Sequence, residues 1–480
     1  MKLIIVCLCL IILVCPQRQA IAAESGQTDD RSSAALRVDN SLTAEEQQKE
    51  SEKNLKHKKE DQTKEPSFLF GGSFTSSYRY YKNLDNIEAE EDFLKWSWRQ
   101  DLYLWAYYHY KDTVTVYARV YNSYVDRGVG QTYTGIGADY EGPALNALLV
   151  NINLNKISPI PGALTLGRQS LRVGRGVVYS DINDGAQAEL VMGNLHFKFF
   201  GAKSRPREDN IDFSVPGFDK EGDRVFWGHE TAYTGIPKTT VYGFALVQND
   251  QSSENTDRPQ QSFHYNSHYL GTGFTSKLGA NELWAEGSLE RGETFTDASQ
   301  TTLPKSKIKA WDALAGVKHR STGFLKPVYE TEFAAGTGDE DRLSVTNVLG
   351  GNTDAVDKNF LYFGSYAAGY ALQPQLSNIM IWTLGASCQP LENVKMFKDF
   401  AIGSKHYFYW KDQKRGLISD LESSGTETYV GEEWDFYMHW KVNEQLRWIL
   451  RYGVFIPSDG YPATSRDDTE YFFLSTTYSF

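Results

Sequence analysis

The last ten residues, Tyr471–Phe480, read YFFLSTTYSF. In steps of two from the end they give Phe480, Tyr478, Thr476, Leu474 and Phe472, a mostly apolar, aromatic-rich face. The set between is Ser479, Thr477, Ser475, Phe473 and Tyr471. A period of two marks a strand with two unlike faces. A chain that stops on Phe inside its last strand has no edge to spare, so that strand needs neighbours on both sides. Closure into a barrel supplies them. In a bilayer closure is obligatory, because no water reaches an open edge. The pattern therefore predicts the closing strand of an outer-membrane barrel. The last strand of a soluble β-sandwich would share the period, so the rest of the chain has to decide.

The other end of the chain bears on the compartment. Lys2 precedes an apolar run, Leu3 to Val14, too short to span a bilayer and suited to the core of an export signal. Ala20-Ile21-Ala22 places small residues at the cleavage spacing, so residues 1–22 are expected to be a signal peptide. Cys7, Cys9 and Cys15 fall within it, which leaves Cys388 alone and no internal disulfide. Downstream there is no further apolar run long enough for a transmembrane helix, so membrane insertion would have to use strands. Residues 23–66 are dense in charge and nearly free of aromatics. Such a segment cannot bury enough apolar area to offset its ordering entropy. It is expected to be a disordered or weakly helical periplasmic extension, either a spacer or a docking arm for periplasmic export components.

Residues 67–480 change texture to short alternating stretches with turns between them. From Trp96 to Tyr110 one phase is Trp96, Trp98, Leu102, Leu104, Ala106, Tyr108 and Tyr110, and the other holds Ser97, Arg99, Asp101 and His109. Lys111-Asp112 makes a tight turn. The return strand sets Val114, Val116, Ala118 and Val120 against Thr115, Tyr117, Arg119 and Tyr121. An apolar face with aromatic ends opposite a polar face is the lipid-out, lumen-in pattern, and strands of this length exceed the soluble norm. The pattern recurs at 148–154, 434–442 and 446–454, and more weakly at 195–203, 241–248, 282–291, 310–318, 327–335, 360–370, 379–386 and 400–410. Long polar joins alternate with short ones, the outer-membrane arrangement. Dividing the segment by roughly 23 residues per strand and connection predicts an all-β transmembrane antiparallel β-barrel of about 16–18 strands, wide enough for an aqueous lumen.

Residues 164–187, LTLGRQSLRVGRGVVYSDINDGAQ, break the rule. Arg168, Arg172 and Arg175 stand among Gly167, Gly174 and Gly176, and glycine within a strand marks a bend or a close approach. Arginines beside such bends have room to enter a lumen, where guanidinium binds carboxylate bidentately at any pH. The same arginines could instead brace the wall against Asp181 and Asp184. Gly167-Arg168-Gln169 with Gly174-Arg175 and Asp184-Gly185, then Ala335-Gly336-x-Gly338-Asp339, Phe360, Gly369, Leu376-Ser377-Asn378, Gly431-x-Glu433-x-Asp435, Phe455-x-Pro457 and the terminal Phe480, resemble the alginate export family of outer-membrane porins in their order along the chain. The resemblance spans most of residues 67–480 and not 24–66. It implies an eighteen-stranded barrel whose Arg-lined, gated pore passes an anionic uronic-acid polymer. Two features depart from it: the chain is net acidic, at −12, and inward phases carry Glu286, Glu290, Glu330 and Glu332.

The charge balance argues against nucleic-acid binding. The leading expectation is a passive conduit in the bacterial outer membrane, in contact with outer-membrane lipid, with no cofactor and no catalytic residue. Its substrate would be an anionic polysaccharide, and Arg99, Arg119, Arg168, Arg172, Arg175, Arg447 and Arg451 are the candidate lining. The alternative is a general or small-solute uptake porin. A lipid-modifying enzyme is the third class, but no Gly-x-Ser-x-Gly elbow is present, and His264-x-x-x-His268 lacks a third metal ligand.

Overall fold

The computed structural model describes residues 67–480 apart from 89, 131–136, 160, 206–222, 252–264, 296–304, 343–344 and 346–355. The expected signal peptide, the charged extension and His264 lie outside the described residues. The first thirteen strands are β1 (Ser67–Lys82), β2 (Leu94–Tyr110), β3 (Val114–Val129), β4 (Ala138–Asn153), β5 (Gly162–Val173), β6 (Tyr179–Met192), β7 (Leu195–Lys203), β8 (Arg224–Ile236), β9 (Thr239–Asp250), β10 (Asn266–Leu278), β11 (Asn281–Phe295), β12 (Lys305–Arg320) and β13 (Val328–Gly336). A two-residue β14 (Val356–Asp357) pairs parallel with β12 and stands outside the ring. The ring continues with β15 (Ile379–Cys388), β16 (Asp399–Lys411), β17 (Tyr429–Lys441), β18 (Leu446–Pro457) and β19 (Thr469–Ser479). Each strand pairs antiparallel with its sequence neighbour, β13 pairs with β15, and β19 pairs with β1, so eighteen strands close into one barrel.

Closure runs through the terminal strand. β19 lies between β18 and β1, from Ser73 opposite Ser479 to Lys82 opposite Glu470. Phe480 exchanges backbone bonds with Gly72, at 3.0 and 2.9 Å. A Cβ on Gly72 would sit 2.6 Å from the Phe480 ring, which is why glycine stands there.

The two phases resolve as lipid-out and lumen-in. On β2, Trp98, Leu104, Tyr108 and Tyr110 are exposed on the outside, while Ser97 and Asp101 are buried inside. Elsewhere Phe70 (78%), Leu270 (65%) and Trp227 (59%) stand on the outer wall. A water-facing surface does not carry such a belt, whereas a bilayer rewards it. Lys111 and Asp112 turn at positive φ, as a tight hairpin requires. Short connections such as 193–194, 237–238 and 279–280 share the end at which β1 begins and β19 finishes. The connections 204–223, 337–378 and 412–428 belong to the other end.

One expected strand is absent. Residues 360–370 lie within the connection 337–378 and belong to no barrel strand. Phe360, Leu361 and Phe363 are all buried, so the segment has no polar phase. It is extended chain inside the barrel, buried at Phe360, Leu361, Phe363 and Ala368 and exposed at Ala367.

Candidate functional site

Among the described residues, two elements leave the wall and enter the lumen. The first is the Gly-Arg hairpin. β5 pairs with β4 only as far as Arg168, and β6 pairs with β7 only from Asp184. Between these points the two strands pair solely with each other, out to Val173 opposite Tyr179. The departure is marked by Gly167 opposite Gly185. Gly167 has φ +114°, and a Cβ there would lie 2.2 Å from the Leu148 carbonyl. The hairpin tip reaches the inner faces of β8 and β11. Gly174 N–H donates to Glu230 (2.8 Å) and Arg175 N–H to Glu286 (2.7 Å).

The second element is segment 358–378. It docks on the hairpin through Phe363 N–H to Val178 O (2.9 Å) and Ser365 N–H to Gly176 O (3.1 Å). The contact packs Phe363 on Phe226, with ring centroids 5.1 Å apart. From there the segment crosses to the far wall, where the Tyr370 and Tyr471 centroids lie 6.4 Å apart. Its upstream end is anchored by Arg342 and Asp357, a fully buried ion pair at 2.8 Å. Burial pushes the Asp357 carboxyl up, against the pull of Arg342.

The inward acids hold these elements. Glu290 accepts Leu361 N–H (3.0 Å) and the hydroxyls of Tyr265 and Tyr269. Glu433 accepts the N–H groups of Tyr370 (2.5 Å), Ala371 (2.6 Å) and Leu372 (3.0 Å). Glu332 accepts Trp284 Nε1–H (2.5 Å) and Tyr366 O–H (2.8 Å). Burial, and then the neighbouring Glu332, hold the Tyr366 phenol protonated far above its usual range. Glu330 instead bridges Lys318 (2.6 Å) and Lys405 (2.5 Å).

The seven candidate arginines divide. Arg99, Arg119, Arg447 and Arg451 sit on the inward phases of β2, β3 and β18. Arg99 pairs with Asp101 at 2.8 Å, and Arg119 donates to Asn146 at 2.6 Å. Arg175 is exposed at the hairpin tip, with its guanidinium 5.1 Å from the Trp284 ring. Arg172 is exposed on the same hairpin, between the buried Leu171 and Val173. Arg168 stands opposite Leu148, which is 45% exposed on the outer wall, and forms a bidentate pair with Asp184 at 2.8 Å on both arms. That is the bracing role, at the hinge of the hairpin.

Sequence reasoning missed Arg79. It faces inward on β1, and tyrosines at 78, 80 and 81 fill both phases around it and mask the alternation. Arg79 and Arg451 flank the Phe473 ring at 5.4 and 5.3 Å. Arg451 also lies 5.4 Å from the Tyr370 ring, and Arg119 lies 5.6 Å from Tyr103. A cation on a ring face gains electrostatic attraction without losing charge. Lys318, Arg320 and Lys405 were missed as well. With Arg175, Trp284, Tyr407 and three glutamates they line a cavity of about 260 Å³ beneath the hairpin tip, toward the short-turn end.

The model of the alginate export family matches residues 100–475. Solved structures with a similar fold include OpdK of Pseudomonas aeruginosa, crystallised with vanillate, at TM-score 0.52 and 11% identity over 86% of this chain and 98% of that one. OccK8 (OprE) of the same organism gives 0.52 and 10% over 86% and 98%. OccAB1 of Acinetobacter baumannii gives 0.51 and 11% over 86% and 96%. At these identities the likeness is one of fold. No curated protein matches the chain.

Proposed function

This chain belongs to the alginate export family of outer-membrane channels, and on that premise we propose that it passes an anionic, alginate-like polysaccharide through an Arg-lined pore by passive diffusion. The observation that carries the proposal is the set of inward arginines on ring faces: Arg79 and Arg451 about Phe473, Arg119 by Tyr103 and Arg175 over Trp284. Guanidinium offers bidentate bonds to a carboxylate. Of these arginines Arg175 is exposed to the lumen, while Arg79, Arg119 and Arg451 are buried in the wall against their rings. Arg172 and Arg175 then offer weak, exchangeable contacts at the hairpin, and the buried arginines add a positive field along the wall. Arg99 and Arg447 extend the same wall, and Arg172 lies with Arg175 on the hairpin. Arg168 is left out of this lining. A passive pore has no direction of its own, so the solute gradient sets export or uptake.

The test is single-channel recording in a planar bilayer with polyuronate added. Anion selectivity with polymer block is expected. Replacing Arg175 and Arg451 by Ala should weaken block about tenfold or more, as loss of charge-assisted bonds implies. Cation selectivity without block would overturn the reading.

A second reading, uptake of small carboxylates, is favoured by the cavity of about 260 Å³ and by the fold shared with OpdK, which was crystallised with vanillate. Block by a monomeric uronate or an aromatic acid, with none by the polymer, would select it.

A further inference from the structure

The connection 389–398, between β15 and β16, lies against the outside of the barrel. It carries a single 3-10 turn, Lys395–Phe397. Phe397 stacks on Trp440, with centroids 4.7 Å apart and planes 8° apart, and meets Phe400 edge-on at 5.8 Å. The Trp440 indole N–H donates to the Met396 carbonyl at 3.1 Å. Trp440 belongs to the outward phase of β17, with Trp434 (41% exposed) and Phe436 (49%). Its register partner is Phe400, one residue inside the start of β16, so this aromatic cluster lies at the level of the periplasmic membrane rim.

The turn's other side chains are also arranged for a boundary between lipid and water. Leu391, Val394 and Met396 are 40%, 48% and 53% exposed. Lys395 and Lys398 are exposed among them. The neighbouring turn 321–327 is tied on by Gln389 N–H to Leu325 O (2.7 Å) and by the Lys326–Glu392 ion pair (2.5 Å). That turn adds Phe324, 83% exposed. Apolar side chains interleaved with lysines lie flat in a headgroup region, the chains at the acyl boundary and the ammonium groups on phosphate.

We propose that residues 389–398 form a strap that binds anionic phospholipid at the periplasmic leaflet. The surface is continuous with the lipid-facing wall through Trp440, and the two lysines supply the charge that anionic headgroups complement. The strap depends on the outer-membrane placement of the barrel and not on which solute the pore carries.

The test uses the full chain with Cys388→Ser and Met396→Cys, labelled with a fluorophore and reconstituted in phosphatidylcholine bilayers. The quenchers are spin-labelled phosphatidylglycerol, spin-labelled phosphatidylcholine at the same mole fraction, and aqueous iodide. Lipid quenching should exceed iodide quenching, with the anionic lipid roughly twofold or more above the zwitterionic one. Lys395→Glu with Lys398→Glu should remove the headgroup preference and leave quenching by lipid in place. Equal quenching by the two lipids in the parent would overturn the headgroup claim. Quenching by iodide alone would overturn the strap and leave the face open to a periplasmic protein.

Discussion

Glu433 is the strongest single tether on the segment that crosses the lumen, and removing its carboxylate should release that segment. Three consecutive N–H groups, at Tyr370, Ala371 and Leu372, converge on it within 3.0 Å, and the Tyr409 hydroxyl reaches it at 3.1 Å. Bonds to a charged group are worth roughly 1.5–3 kcal/mol each. They do not sum, because the freed N–H groups regain water once the segment swings into the open lumen. Asp435 also keeps part of the grip, with a 3.3 Å bond from the same Tyr370 N–H. About 3 kcal/mol net is a fair figure for Glu433→Ala, which shifts the docked-to-released ratio roughly 150-fold. Glu433→Gln keeps a neutral acceptor and should cost about 1.4 kcal/mol, a tenfold shift. Amide hydrogen exchange at 370–372 reads the change directly. Protection should fall by those two factors, and single channels should dwell longer in a larger conductance. Unchanged protection in Glu433→Ala, in a barrel that circular dichroism shows intact, would refute the tether.

Gly364→Val should separate the two lumenal elements. A Cβ there would meet the Gly176 and Val177 carbonyls at 2.0 and 2.3 Å, and backbone cannot yield cheaply, so a loss of about 1–3 kcal/mol at the contact is expected, read as faster exchange at Phe363 and Ser365. Deleting Phe480 removes its two backbone bonds to Gly72 and should cost about 2 kcal/mol, measured as a lower urea midpoint for barrel unfolding in lipid. Burial, and then the neighbouring Asp341, raise the Asp339 carboxyl to about 6. A folded value above the unfolded 3.8 favours the protonated fold, so that stability is full below pH 4 and is lost as pH rises through 6. Exchange at Lys358, whose N–H donates to Asp339 at 2.9 Å, should therefore quicken between pH 4 and 7 beyond its intrinsic trend, and Asp339→Asn should flatten the excess.

The barrel wall was legible because both of its faces are selected. On β2 and β3, lipid demands Trp98, Leu104 and Val116 on one phase, and the lumen admits Arg99, Asp101 and Arg119 on the other, so period two shows in the letters. Segment 360–370 met no such demand. Lying inside the barrel rather than between lipid and lumen, it carries apolar residues in both phases and imitates a wall strand. Gly167 was readable as a bend, but a bend has no direction until its neighbours are known. Arg168 and Arg175 therefore looked equivalent in sequence, while the structure puts one at the hinge with Asp184 and the other at the tip over Trp284. The partners of Glu290 and Glu433 were illegible for a related reason. Besides tyrosine hydroxyls they are backbone N–H groups of a connection distant in sequence, which any residue type could supply.

Enclosing its acids among donors is how a net acidic chain would carry the cationic passage proposed here. Formal charge counts Glu290 and Glu433 as anionic, but N–H and O–H dipoles converge on each of them and screen its field. Glu330 is offset by two lysines. These acids belong to the architecture that narrows the lumen. The arginines on Phe473, Tyr103 and Trp284 lean on rings, which orient a cation and leave its charge intact. Converting Glu286 or Glu290 to Gln to make the lumen more basic should therefore disturb the lumenal elements before it alters selectivity. The order of those two effects, followed by exchange at Arg175 or Leu361 and by reversal potential, separates a structural carboxylate from one that lines the path.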